Sequence, residues 1–367
     1  MKITKIVITG GPCAGKTTAL SWIQNAFMRK GYVVLFVSET ATELITGGVA
    51  PWTCGSNLEY QKCQVRMQRE KEKIYMQAAR TMNAENILIV CDRGVLDNKV
   101  YMTKEEFDIV LSGLGTNEVE ERDSYDAVFH LVTAAKGAVE AYTLANNAAR
   151  TESPEQAIAL DDALIAAWTG HPHFRVIDNR GTFSEKLERV ISEIDAFLGE
   201  PDPFEIERKF LIARPDPAEL EALPNCQKVE IVQTYLKTDG VREIRVRQRG
   251  HDGHYIYYRT EKRRISPGKR VEIEVRLTQE DYIRALMDMD PASHPIRKTR
   301  YCLTEGNHYY EIDLYPEWKN QAILEIELKD ETEGVVLPEQ VRVLREVTKE
   351  KAYSNYEMAR KMPEEEI

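Results

Sequence analysis

One stretch near the start constrains this chain more than any other. An apolar run, Lys5-Ile6-Val7-Ile8-Thr9, leads directly into Gly10-Gly11-Pro12-Cys13-Ala14-Gly15-Lys16-Thr17, and a helical pattern with Leu20, Ile23 and Phe27 follows at once. The loop satisfies G-x-x-x-x-G-K-[ST] in full and sits between a strand and a helix, as the motif requires. Its glycines let backbone N–H groups turn inward around phosphate oxygens, Lys16 adds a point charge, and the Thr17 hydroxyl can ligate a divalent cation. The leading end of the helix adds partial positive charge. Gly10 through Thr17, with Thr18, are the candidate nucleotide-binding residues, and Lys16 is also the first candidate catalytic group.

The same feature fixes the fold around it. Further buried strands are expected at 32–37, 87–91, 127–132 and 174–177, with helices at 17–30, 58–82, 104–112, 135–147, 154–169 and 183–198. Strands alternating with helices imply a parallel sheet with right-handed crossovers, an α/β P-loop domain. Thr103 with Glu106, and Ser153 with Pro154 and Gln156, read as helix starts. His130 lies among apolar neighbours and is read as a core histidine.

Two acids fall just after strands on the ligand side of such a sheet. Asp92 is the candidate metal-holding acid, with Arg93 beside it. Glu39 is a candidate base or water-orienting group, or else an acid at a helix start. Arg150, between two helices, has the position of a lid arginine over a transferring phosphate, or of a surface partner to Glu152 or Glu155.

Gly199-Glu200-Pro201-Asp202-Pro203 breaks the pattern, and the period then changes to two. The boundary divides a first domain, 1–200, from a second, 203–361. Strands are expected at 204–212, 228–236, 242–249, 254–262, 270–277, 296–303, 308–315 and 322–329, giving an antiparallel barrel in an α+β domain. Helices are expected at 279–289, started by Thr278 with Asp281, and near 338–345 and 349–361. Glu364-Glu365-Glu366 reads as a frayed, solvated tail.

Within these strands the charges keep one face: Glu205, Glu207 and Lys209; Arg245, Arg247 and Arg249; Glu272, Glu274 and Arg276; Lys298 and Arg300; Glu311 and Asp313; Glu325 and Glu327, with Lys262 added. Alternation alone does not say which face points inward. The apolar face needs cover, however, and the later helices are available to cover it from outside. That leaves an interior lined by acids and bases, tenable only if wet, mutually paired and completed by ligands. Carboxylates suit magnesium or manganese, and arginine and lysine suit phosphate oxygens.

Composition narrows the partners. A net charge of -11 argues against general nucleic-acid binding. No apolar run approaches the ~18 residues of a membrane span. Met1 to Lys5 runs straight into a strand without a signal-peptide pattern, and the six cysteines show no C-x-x-C spacing, so buried thiols in the cytoplasm are expected.

Both halves resemble known families. Residues 3–198 resemble the AAA-type P-loop domain related to nicotinamide riboside kinases and, more distantly, to deoxynucleoside kinases. That likeness is carried by Gly10–Thr17, Ser38-Glu39-Thr40-Ala41-Thr42-Glu43, Asp92-Arg93-Gly94, Tyr125-Asp126 and Asn147 to Arg150. It implies ATP or GTP binding with magnesium. Residues 204–360 resemble CYTH domains, the triphosphate tunnel metalloenzymes, through Glu205-Ile206-Glu207-Arg208-Lys209, Gln233-Thr234-Tyr235-Leu236, Arg245-Val246-Arg247, Thr260-Glu261-Lys262, Glu272-Ile273-Glu274, Glu325-Ile326-Glu327 and Tyr353-Ser354-Asn355.

The second resemblance implies an eight-stranded tunnel and two-metal chemistry on nucleoside or inorganic triphosphates. Under it Glu205, Glu207, Glu325 and Glu327, with Asp313, would hold metal. Arg245, Arg247, Lys262, Lys298 and Arg300 would grip phosphates, Lys209 would steer the terminal one, and Glu272 or Glu274 would help activate water. The expected activity is magnesium- or manganese-dependent hydrolysis or transfer of phosphoryl groups. The alternative follows from the pairing of the two domains, which resembles the trafficking-linked TRPL translocation defect family. There the P-loop would be a GTP or ATP switch, and the tunnel would hold a phosphate-bearing ligand such as an acidic phospholipid.

Overall fold

The apolar runs of the first half become a five-stranded parallel sheet, and the period-two runs of the second half become a nine-stranded antiparallel one. The computed structural model describes residues 1–138, 153–199, 206–238, 242–266, 269–306, 308–328 and 335–366, with backbone alone at 206, 263–266 and 269–273. Its two units are Met1–Ile194 and Asp195–Ile367.

In the first unit, β1 (Lys2–Gly10) runs between β3 (Asn86–Asp92) and β4 (Ala127–Leu131), with β2 (Val33–Val37) and β5 (Phe174–Ile177) at the edges. All four pairings are parallel. Register sets Ile8 beside Asp92 and Gly10 beside Leu131, so the glycine loop emerges between two strand ends. Helices α1 (Lys16–Arg29), α2 (Thr40–Thr46), α3 (Asn57–Thr81), α4 (Lys104–Ser112), α5 (Glu118–Arg122), α6 (Pro154–Trp168) and α7 (Phe183–Leu198) accompany the sheet. Capping boxes at Thr103 with Glu106 and Ser153 with Gln156 start α4 and α6 as their sequences direct. The core is Ile6, Val7, Ile8, Ile23, Phe27, Leu88, Val90, Phe129, Leu164 and Trp168, all inaccessible to solvent.

Not every local expectation holds. Val95–Tyr101 folds as a 3-10 turn, and α2 and α5 were not foreseen. The helix expected at 135–147 is replaced at its start by a turn ending at Gly137, and its remainder lies outside the described residues. None of the six cysteines forms a disulfide; only Cys91 and Cys302 are buried, and Cys63 is exposed.

The second unit holds all eight expected strands: β6 (Ile206–Ala213), β7 (Cys226–Tyr235), β8 (Arg242–His251), β9 (His254–Ser266), β10 (Lys269–Leu277), β11 (Ile296–Glu305), β12 (His308–Leu314) and β13 (Gln321–Leu328). The sheet order is β10-β9-β8-β7-β11-β12-β13-β6-β14, the last being Val343–Glu346. That ninth strand corrects the helix expected at 338–345. β6 offers an open edge, and Val343 to Glu346 pairs along Ile212, Leu211 and Phe210 instead of bonding to itself. The helix expected at 349–361 is reduced to a 3-10 turn, Lys351–Tyr353, and the short α10 (Asn355–Met358).

One sheet face is oily. Phe210, Ile212, Leu303, Ile312, Leu324 and Ile326 pack there with Leu220 of α8 (Pro217–Glu221), under Val335, Leu337 and Val341. The cover is therefore α8 and the 335–343 segment. Helix α9 (Gln279–Leu286) lies instead against β8, β9 and β10, its Tyr282 ring 4.7 Å from Tyr257.

The acidic tail is tied down rather than frayed. The Pro363 carbonyl accepts from Trp318 Nε1 at 2.9 Å, and Glu366 takes Arg345 Nη2 at 2.5 Å and the Tyr353 hydroxyl at 2.5 Å. Fixed cationic and hydroxyl partners on Arg345 and Tyr353 outweigh the like-charge repulsion that would fray it. A chain ending at Met362 is expected to lose ~1–2 kcal/mol, seen as a fall of several degrees in the melting of the second unit. An unchanged melting profile would contradict the tie.

Candidate functional site

The phosphate loop is held from behind by buried polar groups. Gly11 N–H donates to Asp161 Oδ1 at 3.0 Å, and Thr133 Oγ1 donates to the Pro12 carbonyl at 2.5 Å. Lys186 Nζ donates to the Ala14 carbonyl at 3.1 Å, the Val132 carbonyl at 2.6 Å and Asn179 Oδ1 at 2.7 Å. The loop's glycines have no room for side chains: a Cβ on Gly10 would lie 2.1 Å from the Leu131 carbonyl oxygen, and Gly15 has φ +90 against the Phe183 ring.

Asp161 is the hub of this brace, and it is fully buried. Its Oδ1 also accepts from Thr133 N–H at 3.1 Å and meets His130 Nε2 at 3.0 Å, and its Oδ2 accepts from Lys136 at 2.9 Å. Burial alone would raise its pKa, but His130 and Lys136 outweigh burial and hold the carboxyl well below the carboxylate range. Lys186 is pushed down to about 8, chiefly by burial. Sequence reading missed both residues. The available signal was a lone acid on an apolar stripe of α6, with Ala157, Asp161, Leu164 and Trp168 all buried on one face.

On the ligand side, Lys16 Nζ donates to the Gly10 carbonyl at 3.1 Å, and burial, aided by Arg93, lowers it to about 8. Asp92 ends β3 with its Oδ1 buried and without a hydrogen-bond partner. Burial chiefly raises its pKa, Glu39 adds to this, and Lys16 opposes it. A carboxylate oxygen in that state fits a hard divalent cation, and the exposed Thr17 hydroxyl at the head of α1 is the second oxygen donor the loop supplies.

Arg93, with φ 71, turns its guanidinium onto Glu39, Nε to Oε1 2.5 Å. Glu39 takes the N-cap position of α2 but makes no capping bond; its Oε2 accepts from Thr42 Oγ1 at 2.6 Å. Burial would raise Glu39, yet Arg93 and Lys16 outweigh it and hold it at about 2. Arg150 lies outside the described residues.

In the second unit, register puts every predicted charged position that the structure describes on one sheet face. Lys209 pairs across from Glu325, and Glu325 from Glu311. Arg300 pairs across from Asp313, Arg247 from Tyr258, and Lys262 from both Glu243 and Glu272. Asp313 and Lys298 on this face are buried, and α8 with the 335–343 segment covers the opposite, apolar face, so the charged face is the inner one. Glu205 lies outside the described residues, and only the backbone of Glu272 is described.

The interior is graded along the strands. At one rim the exposed Glu207 and Glu327 face each other across β6 and β13. One step inward lies an ionic cluster. Asp313 accepts from Lys298 Nζ at 2.5 Å and from Arg300 Nε and Nη2, both at 2.6 Å. Arg300 also reaches Glu325 at 3.0 Å and bonds Glu311, while Lys209 meets Glu325 at 2.6 Å. A further step inward, Leu211, Ile323, Tyr315 and Ile296 pack with Val347, Tyr353 and Met358 as an apolar plug.

Lys298 and Arg300, expected as phosphate grips, are thus engaged by acids within the wall. Arg247 pairs with Glu274 at 2.9 Å, Glu274 also accepts from Thr260 at 2.8 Å, and Arg247 Nε is buried without a partner. Burial lowers Lys298, with Arg300 adding to it; Lys209 is raised because Glu325 and Glu207 outweigh burial. Glu325 is driven down by Lys209, Lys298 and Arg300 against its burial, whereas burial and then Glu325 push Glu207 up.

Among the described residues no three acids, histidines or cysteines form a ready-made metal cage. Magnesium commonly takes only one or two carboxylates and completes its shell with phosphate and water, and Glu207 with Glu327 fits that smaller role.

Residues 5–186 match the model of an AAA domain. No curated protein matches the chain. Among solved structures, the inorganic triphosphatase NE1496 is 26% identical, with 44% of this chain and 97% of that one covered and a TM-score of 0.31. The protein PH1012 of Pyrococcus horikoshii is 18% identical over 34% of this chain and 80% of that one, with a TM-score of 0.26. A putative adenylyl cyclase from Hippeastrum, described as having a dominant triphosphatase activity, is 11% identical over the same shares, with a TM-score of 0.26.

Because Glu207 is raised in the folded state, the folded chain keeps its proton to higher pH than the unfolded chain does. Stability from this group is therefore present at low pH and falls as pH rises above the ordinary carboxylate range. Solvent reaches 47% of the side chain and limits the effect. In chelator, Glu207→Gln is expected to melt roughly 2–4 °C above the parent at pH 8 and level with it near pH 4. A variant less stable at pH 8 would contradict this.

Proposed function

We propose that the chain is a nucleotide-binding phosphohydrolase or phosphotransferase, binding ATP or GTP at the P-loop and handling a triphosphate in the second unit. The observation that carries this is the pairing of a braced phosphate loop with an unpartnered carboxylate oxygen on Asp92, within the electrostatic reach of Lys16. Such an arrangement is preorganised for anionic oxygen on one side and a cation on the other.

In this reading the terminal phosphates replace the Gly10 carbonyl as the partner of Lys16. Their charge restores the lysine's ordinary protonation, which burial now disfavours. Magnesium or manganese held by Asp92 and Thr17 would polarise the transferring phosphoryl group. Glu39, kept ionised by Arg93, orients the attacking hydroxyl or water. A loose transition state leaves the nucleophile protonated until late, so a carboxylate of low pKa suffices. In the second unit the bases of β8 face phosphate, and the carboxylates of β6 and β13 face the cation that accompanies it.

The two sites are expected to fail separately. With magnesium, Lys16→Ala should lower nucleotide turnover by ~100-fold or more while sparing inorganic triphosphate, and Arg247→Ala should do the reverse by ~10-fold or more. If neither substitution changes turnover of either compound, the proposal fails. Tight nucleotide binding without turnover, together with binding to vesicles of acidic phospholipid, would instead identify a regulatory switch.

A further inference from the structure

The groove that holds the acidic tail of the second unit shares a residue with the surroundings of Lys209. Its floor is the turn that leads into β13. Trp318 Nε1 donates to the Pro363 carbonyl at 2.9 Å, and the N–H groups of Lys319 and Asn320 both donate to Glu365 Oε1, the latter at 2.7 Å. Gln321 is fully buried; its Oε1 accepts from the Glu366 N–H at 2.8 Å, and its Nε2 is left without a partner. The other wall is Arg345 and Tyr353. Arg345 Nε and Nη2 take the two oxygens of Glu366 at 2.9 and 2.5 Å, and the Tyr353 hydroxyl donates to Glu366 Oε1 at 2.5 Å.

Tyr353 has its other end against the charged interior. It packs in the apolar plug with Leu211, Val347 and Met358, and its carbonyl accepts from Lys209 Nζ at 3.5 Å. The same segment holds the backbone of Lys209. Val347 N–H donates to the Lys209 carbonyl at 2.8 Å, and Lys209 N–H donates to Thr348 Oγ1 at 3.0 Å. Residues 345–353 therefore touch the tail on one side and Lys209 on the other, with the Arg345 guanidinium over the Tyr353 ring at 5.4 Å.

The tail is held by polar contacts near solvent. Glu364 and Glu366 are exposed, and Pro363 and Glu365 are half-buried. Exposed ion pairs each contribute little and are screened by salt. A segment held in this way opens locally at far lower cost than the whole unit unfolds. Arg345 and then Tyr353 hold Glu366 at about 2, so the tail stays charged through the neutral range. Ionic strength, not pH, then governs its hold.

We propose that Pro363–Glu366 is a reversible strap that positions Lys209 through Tyr353 and the segment around it. Its effect on turnover rests on the reading of the second unit as a triphosphate site. Glu366 and Tyr353 are positioning residues in this device. When the strap leaves, residues 345–353 loosen, and Lys209 loses the partners that fix its backbone and its ammonium.

The full chain and a chain ending at Met362 are compared by hydrogen exchange with mass spectrometry and by phosphate release from inorganic triphosphate with magnesium. At low salt the shortened chain is expected to exchange roughly 10-fold faster around Lys209 and over 343–358, while β11 and β12 keep their protection. Its kcat/KM should fall ~5–10-fold. A synthetic peptide of residues 362–367 should restore both, and the same peptide with glutamine at 365 and 366 should restore neither. The two chains should converge at ~0.5 M salt, where the Debye length is about 4 Å. Tyr353→Phe should reproduce part of the loss in the full chain and add little to the shortened one. Unchanged exchange around Lys209 overturns the strap. Faster exchange throughout the unit, or confined to 343–346 with turnover unchanged, assigns the tail to stability alone and also overturns it. A full chain inert toward inorganic triphosphate overturns the reading of the second unit instead, and exchange with and without the peptide still decides the strap.

Discussion

A charge removed from water must be answered at contact distance, and both units are organised around one fully buried aspartate that meets this requirement. Asp313 is answered by Lys298 and by two nitrogens of Arg300. Asp161 is answered by Lys136, His130 and two backbone N–H groups. Each ion costs several kcal/mol to bury, and removing a single partner would leave that cost exposed. These clusters are therefore specificity devices more than sources of stability: they fix where the loop and the inner wall stand.

The two clusters do this differently. Around Asp161 the brace consumes the back of the phosphate loop, so the groups facing outward, Lys16 and Asp92, stay available for ligand. Around Asp313 the cluster sits in the wall itself and takes up Lys298 and Arg300. The interior that results is graded, with carboxylates at the rim, paired ions in the middle and an apolar plug made by the C-terminal segment.

Much of this was legible in the sequence, because local patterns decide it. The glycine loop between a strand and a helix fixed the parallel sheet around β1, and period-two charge gave all eight strands of the second unit with a common face. What stayed hidden depends on distant partners. Val343 to Glu346 has a pattern suited to a helix, and only the open edge of β6 makes it a strand. Glu366 looks like a solvated acid until Arg345 and Tyr353 are brought against it. Asp161 was visible as an acid on an apolar stripe, but its four partners come from residues 11 to 136, and no spacing in α6 announces them. Whether the charged face pointed inward was undecidable from alternation, since that depends on what covers the other face.

The most direct test of the buried-charge account is a double-mutant cycle on Arg300 and Asp313, read by denaturant unfolding of the full chain. Arg300→Met and Asp313→Leu should each cost about 3–5 kcal/mol, and the double variant should cost less than their sum by at least ~2 kcal/mol. Single substitutions costing under ~1 kcal/mol, with additive effects, would place these charges in solvent and contradict the account.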